Sequence, residues 1–368
     1  MLLFAVALSL LLSGCWDLEE IENRGVALAI GFDLTQDGKV EATVQLPRPQ
    51  ALNYARGQNP STPGEQFIIS SAPGETAWDA LMQVDKQTSR KLYLGHLQAV
   101  VIGEDLARSG FYGVLDALIR HAKISRQARV LIAQKAGDII RQPVVGELLP
   151  AFYFSAFYES QSNTESTADV RLWRAWHDLA MPGQSSYIPH ISVDQNQFKL
   201  EGIELIGHRQ LVGQLDGKTA RGFNWLRGAV KSGSLVVEVM GQPYTLHLVR
   251  NTRHVPEAGW GGGTPYITFN VRVTAAVAEN EGMRDATDPE VWAGIERALA
   301  EKVKAEAQQA IRTMQQAGAD SLNLGEYVRA ADPTHWDLQK WLEKYPEAQV
   351  TIHVDATLRN TGDIQEVE

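Results

Sequence analysis

The chain has 368 residues, of which 44% are hydrophobic and 21% charged, and its formal net charge is -10. That length exceeds one ordinary core and points to two or three domains with the composition of a folded globular protein. The acidic surplus argues against nucleic-acid binding, which calls for a basic surface, and against holding anionic lipid headgroups by charge alone.

Leu2 to Leu12 is an apolar run, interrupted only by Ser9, that leads into Leu12-Ser13-Gly14-Cys15. It is too short to span a bilayer, which takes about 20 residues, and it suits the h-region of a signal peptide. Small residues before a cysteine have the shape of a lipobox, in which Cys15 takes a diacylglyceryl group and becomes the new N-terminus. Cys15 is the single cysteine of the chain, so no internal disulfide, tetrathiolate zinc site or iron–sulfur cluster can form. Two acyl chains anchor firmly, because each buried methylene contributes about 0.8 kcal/mol. No Lys or Arg precedes Cys15, a departure from the usual basic n-region. No later apolar run is long enough for a transmembrane helix, so an anchor at one end of an otherwise soluble chain is expected.

An acidic stretch, Asp17 to Glu22, follows. Val26 to Phe32 predicts a buried strand, and the alternation of Val40, Ala42, Val44 and Leu46 predicts a half-buried one. Asp37-Gly38 between them predicts a hairpin turn. Pro47 to Gly64 is a loop, and Phe67 to Ser70 a short strand. Helices are expected over Glu75 to Lys86 and along the Phe111, Val114, Leu115, Leu118, Ile119 stripe, with strands at Leu97 to Ile102 and Arg129 to Ala133. From Pro143 to Ser192 the patterns weaken, with helices at Leu148 to Tyr158 and Val170 to Leu179. Strands follow at Leu200 to Ile206 and Gln210 to Leu215, then a helix at Thr219 to Arg227 and a hairpin from Leu235 to Val249. Glu257 to Pro265 is a Gly-rich break. Phe269 to Val277 alternates strictly. A long helix runs from Val291 to Met314 and ends at Gly318, and a last strand covers Val350 to Leu358.

Chemistry is sparse. His96, His121, His177, His190, His208, His247, His254, His335 and His353 are scattered without metal-ligand spacing. No G-x-S-x-G is present, and Gly259 to Thr264 lacks the G-K-[ST] of a phosphate cradle and predicts a flexible loop. Asp33 and Asp37 flank a turn and lack the further oxygens of a calcium loop. Glu104-Asp105 and Asp116 read as helix-terminal charges on a solvated face. Trp173 with Trp176, and Trp336 with Trp341, stand for either core packing or a partner interface. No catalytic, cofactor or metal residue is therefore assigned, and Cys15 is the one site residue.

The residues also resemble the spore germination receptor C-subunit lipoproteins, the Ger(x)C family. The resemblance lies in Gly14-Cys15-Trp16-Asp17, Glu20-Ile21, Gly31-Phe32-Asp33 and Gly95 through Ala107. It returns at Leu211 through Leu215, at Ala220-Arg221-Gly222 with Trp225-Leu226, and at Asp320, Pro333, Trp336, Trp341 and Thr361-Gly362. Two places depart: Ser-Leu-Asn-Leu-Gly-Glu-Tyr after Asp320 lacks an expected Gly-Phe, and Tyr345-Pro346 replaces a Trp/Phe-rich pattern. The resemblance implies a non-catalytic lipoprotein on the outer face of the spore inner membrane. Its partners would be membrane lipid through Cys15 and membrane-embedded A and B receptor subunits, in a complex that senses nutrients. Contact with the small-molecule nutrient stays open.

The expected fold is α+β, with three mixed α/β domains, each a sheet packed with helices. Residues 1–14 are a signal peptide, 15–142 an N-terminal domain, 143–197 a connecting helical region, 198–262 a middle domain and 263–364 a C-terminal domain. Two other classes are weighed beside the receptor subunit. One is an extracytoplasmic solute-binding lipoprotein with its own ligand pocket; the other, a lipid-anchored hydrolase, lacks any nucleophile or metal set.

Overall fold

The computed structural model describes residues 24–48, 66–144, 149–160, 164–181, 183–280 and 288–359. The apolar leader, Cys15, the 49–65 part of the predicted loop and Thr361-Gly362 lie outside the described residues.

The described chain opens with β1 (Arg24–Val26), β2 (Ala29–Leu34) and β3 (Val40–Pro47). The β2–β3 turn lies where Asp37-Gly38 predicts it: Gly38 takes φ +82°, and the Thr35 hydroxyl donates to Asp37 at 2.6 Å. Then come β4 (Phe67–Gly74), α1 (Ala77–Gln87), β5 (Lys91–Tyr93), β6 (Ala99–Gly103), α2 (Glu104–Ser109), α3 (Tyr112–Arg120) and β7 (Arg129–Ala133). Next are α4 (Ala136–Arg141), α5 (Pro150–Glu159), α6 (Leu172–Ala180), β8 (Ser186–Asp194), β9 (Gln197–Gly207) and β10 (Gln210–Leu215).

Eight of these strands form one sheet in the order β10-β9-β8-β7-β6-β2-β3-β4, while β1 pairs β5 separately. Strands β2, β6, β7 and β8 run parallel, with antiparallel pairs on either side. Such parallel strands must be covered on both faces, and they are rich in Val and Ile for that reason. Ile30, Phe32, Val100, Ile102, Val130 and Ile132 face α1, α3 and α6. Ala29, Val101, Leu131 and Ala133 face α4 and α5.

The sequence pattern is weakest around β8, and the structure shows why. Pro189 cannot donate to a ladder and reads as an edge position, yet β8 lies between β7 and β9. A bulge between Pro189 and Ile191 accommodates it, with Gly202 opposite at φ +96°. The β7–β8 seam is correspondingly thin, with one registered pair, Ile132 with His190.

The second sheet is built from β11 (Ser234–Val239), β12 (Gln242–Arg253), β13 (Glu257–Gly261), β14 (Thr264–Asn280) and β15 (Gln349–Arg359). Between β10 and β11 lies α7 (Gly217–Arg227). Between β14 and β15 lie α8 (Pro289–Gln316), α9 (Leu324–Ala331), α10 (Leu338–Lys344) and a short 3₁₀ turn. The order is β11-β12-β14-β13, and β15 runs parallel to β14. The Gly-rich run predicted as a flexible loop is instead the β13–β14 hairpin. Gly262 and Gly263 take φ +59° and +88°, the pair of positive angles that a tight two-residue turn demands.

The α8 stripe, Val291, Ile295, Leu299, Val303, Ala307, Ile311 and Met314, is buried as its periodicity predicts. It packs on α7, on β11 and β15 of the second sheet and on β10 of the first. One core cluster runs through both sheets from Ala27 to Leu358, and a second lies between the first sheet and α4 and α5. The architecture is thus mixed α and β, with sheets packed by helices.

Candidate functional site

Several residues of the motifs quoted above are anchors of the fold. Asp33 is buried at the end of β2, and its carboxylate accepts from the backbone N–H groups of Ala136 and Gly137 at 2.9 and 2.7 Å. It thereby caps α4 from a distant strand, a role that a helix N-terminus rewards with favourable charge. A Cβ at Gly103 would sit 2.1 Å from Asp33 Oδ1, so the glycine makes room for this cap.

Arg221 and Trp225, one helical turn apart on α7, converge on Glu306 of α8. Arg221 donates through Nε at 2.9 Å and Nη2 at 2.6 Å, and Trp225 Nε1 donates at 3.0 Å. Glu306 is buried, and a two-pronged guanidinium–carboxylate pair offsets its desolvation. Gly222 lets the helices meet, because a Cβ there would lie 2.1 Å from the Glu306 carbonyl oxygen.

Asp320 is buried and accepts from the N–H groups of Leu324 and Gly325 at 2.7 and 2.8 Å, capping α9. Burial pushes its carboxyl up to about 6, against those backbone bonds and one from Trp341, which hold it down. A Cβ at Gly325 would lie 2.5 Å from Trp341 Nε1. Tyr345, where a Trp/Phe-rich pattern was expected, keeps an aromatic in the core: its ring lies 5.4 Å from Trp341, and its hydroxyl donates to the Ala319 carbonyl at 3.0 Å. Trp225 and Trp341 are core residues, whereas Trp173 is 44% exposed.

Two places could meet another molecule. The first is a cleft of about 340 Å³ between β1, β5, α1 and the end of α3, walled by Trp78, Leu81, Met82, Leu92 and Tyr93. Its polar groups are Arg24, Lys91, Lys123, Asp85 and His121. Arg24 lies over the Tyr93 ring at 4.6 Å, and Trp78 stacks on His121 at 4.7 Å. Apolar walls with a few converging polar groups suit a small ligand.

The second lies where the parallel strands end. His190 of β8 contacts Glu204 of β9, with Nδ1 to Oε1 at 2.8 Å. Donor atoms of Glu104, His190 and Glu204 all lie within 4.8 Å of one another. Linear spacing hides this set, since the residues are brought together by strand pairing and a bulge. Neither place contains a serine, threonine or cysteine nucleophile aligned with a base among the described residues.

The Spore germination protein N-terminal domain model matches residues 17–193, and the Spore germination B3/GerAC-like C-terminal model matches 201–362. Spore germination protein GerQC of Bacillus cereus is 22% identical, over 96% of this chain and 97% of that protein. Spore germination protein KC of Bacillus subtilis is 24% identical, over 96% and 93%. Among solved structures, the crystal structure of the GerBC protein superposes with a TM-score of 0.60 at 19% identity, covering 90% of this chain and 97% of that one.

Proposed function

The chain belongs to the family of spore germination proteins with GerAC-like N- and C-terminal domains, and from that premise we propose that it is the lipid-anchored, non-catalytic C-type subunit of a nutrient germinant receptor. The observation that carries this reading is the order and reach of the two matches. They tile residues 17–193 and 201–362, and the first begins two residues after Cys15. The apolar run and the cysteine thus stand ahead of the matched region, as a leader and an anchor would.

In this reading the acylated Cys15 holds the protein on the outer face of the spore inner membrane, beside membrane-embedded A and B subunits. No helix among the described residues is long and apolar enough to cross a membrane. The motif side chains are spent on caps and helix contacts, which agrees with a binding subunit. A second reading, a subunit that holds a small solute itself, is favoured by the Trp78–Tyr93 cleft alone.

Intact mass spectrometry of the protein from its own membrane tests the anchor. A mass that fits cleavage before Cys15 plus a diacylglyceryl adduct is expected. An unmodified full-length product would overturn it.

A further inference from the structure

The Glu104–His190–Glu204 cluster plays no part in the reading above, and its physical setting asks for a cation. Glu204 is 3% exposed at its side chain, His190 17% and Glu104 28%. Two carboxylates brought this close repel, and one of them is out of water, where an uncompensated charge is costly. The nearby cations are committed or outside. Arg108 reaches Glu104 at 3.6 Å from a side chain that is 59% exposed, and Lys135 is bound to Asp105 at 2.8 Å. The side-chain partner that the fold gives Glu204 is the imidazole of His190.

The placement is built into the backbone. His190 stands in the β8–β9 bulge, opposite the positive-φ Gly202, and bulges commonly re-aim a side chain beside a site. Glu104 is the first residue of α2, directly after β6. A cavity of about 340 Å³ adjoins the cluster, lined by Glu104, Gln134, Asp138, His190 and Ser192 among others. It opens at the carboxyl ends of β6 and β7, the edge at which α/β sheets usually receive ligands.

We propose that Glu104, His190 and Glu204 bind one divalent transition-metal ion. One imidazole nitrogen with two carboxylates suits zinc or manganese, whereas calcium takes six to eight oxygens and is disfavoured here. Donors within 4.8 Å of one another close on an ion at about 2.0–2.2 Å by moving less than about 1 Å each. Cavity waters complete the coordination shell. The ligands come from the β6–α2 junction and from the β8–β9 hairpin, on opposite sides of the seam that Ile132 and His190 alone hold in register. An ion there ties the two parts of the first sheet together.

The test uses the full chain without an affinity tag, dialysed against buffered zinc or manganese and assayed by elemental analysis and calorimetry. About one ion per chain is expected, with a melting temperature that rises with ion concentration. Glu104→Gln, at a partly exposed position, and His190→Asn each lower affinity at least tenfold, while His335→Asn, at a separate exposed histidine–aspartate pair, leaves it unchanged. Calcium binds far more weakly. Substoichiometric loading, or affinity unmoved by both Glu104→Gln and His190→Asn, overturns the proposal. Glu104→Gln carries the decision if the His190 variant does not fold.

Discussion

A single buried carboxyl gives the molecule a pH dependence with a definite sign. Asp320 is raised from an ordinary 3.8 to about 6 by burial, so the folded chain holds its proton where the unfolded chain has released it. Its contribution to stability is therefore full below about pH 4 and is lost as the pH rises through about 6. At 1.36 kcal/mol per unit, the loss is at most about 3 kcal/mol. Asp320→Asn removes this titration and one of the two cap acceptors. Denaturant unfolding at pH 4.5 and pH 7 should show the wild-type advantage over the variant shrinking at the higher pH. A constant difference would mean that the carboxyl stays ionised throughout.

At the same scale, the sequence exposes identities without partners. Asp33, Arg221 and Trp341 stand out from the linear chain, yet their partners lie twenty or more residues away: Ala136, Glu306 and Asp320. Spacing rules see a helix cap when it is adjacent; Asp33 caps α4 from another strand and leaves no local mark. His190 and Glu204 escape for the same reason, being brought together across a bulge.

Between elements, the contact of α7 with α8 is the most sharply specified. Gly222→Ala improves intrinsic helix propensity by about 1 kcal/mol but drives a methyl group into the Glu306 carbonyl, where overpacking costs about 3 kcal/mol. The clash wins, and thermal unfolding should show a net loss of about 2 kcal/mol or more. Glu306→Ala leaves the Arg221 charge buried without its counterion, so a loss of about 3–5 kcal/mol is expected by chemical denaturation. Double replacement of Arg221 and Glu306 by apolar residues of similar volume should recover much of that loss. Failure to recover would indicate that the pair also sets the angle between the helices.

Elements with clean periodicity were legible in advance. The alternation in β14 and the stripe of α8 are buried as their patterns require, whereas β3, expected to be half-buried, is covered on both faces, with Thr43 and Gln45 as deeply buried as Ala42 and Val44. Elements under competing signals were not. Pro189 masks β8, and α9 starts after Asn323 in a left-handed conformation, with its cap supplied from Asp320, so no standard start signal precedes it. In the sequence the glycines at 262 and 263 read as looseness, whereas two adjacent positive angles are the mark of a tight turn.

For the whole molecule, the prediction concerns attachment. Cys15→Ala should release the protein from the membrane fraction and weaken nutrient-triggered germination, because two acyl chains are the proposed hold on the bilayer. Immunoblots of separated soluble and membrane fractions check it. Retention of the variant in membranes would assign the hold to partner subunits, and the lipid would then be dispensable.

Strand β15 has a further consequence for biogenesis. It registers residue by residue with β14 from Tyr266–Gln349 to Ala276–Arg359, partners separated by the whole of α8, α9 and α10. The second sheet thus cannot close until β15 has been made, and contacts so distant in sequence fold slowly. Until then β14 presents an open row of backbone donors and acceptors, the kind of edge along which nascent chains stick to one another. A chain interrupted before Gln349 would keep that edge permanently and aggregate, which makes completion of the C-terminal strand a natural checkpoint in its maturation.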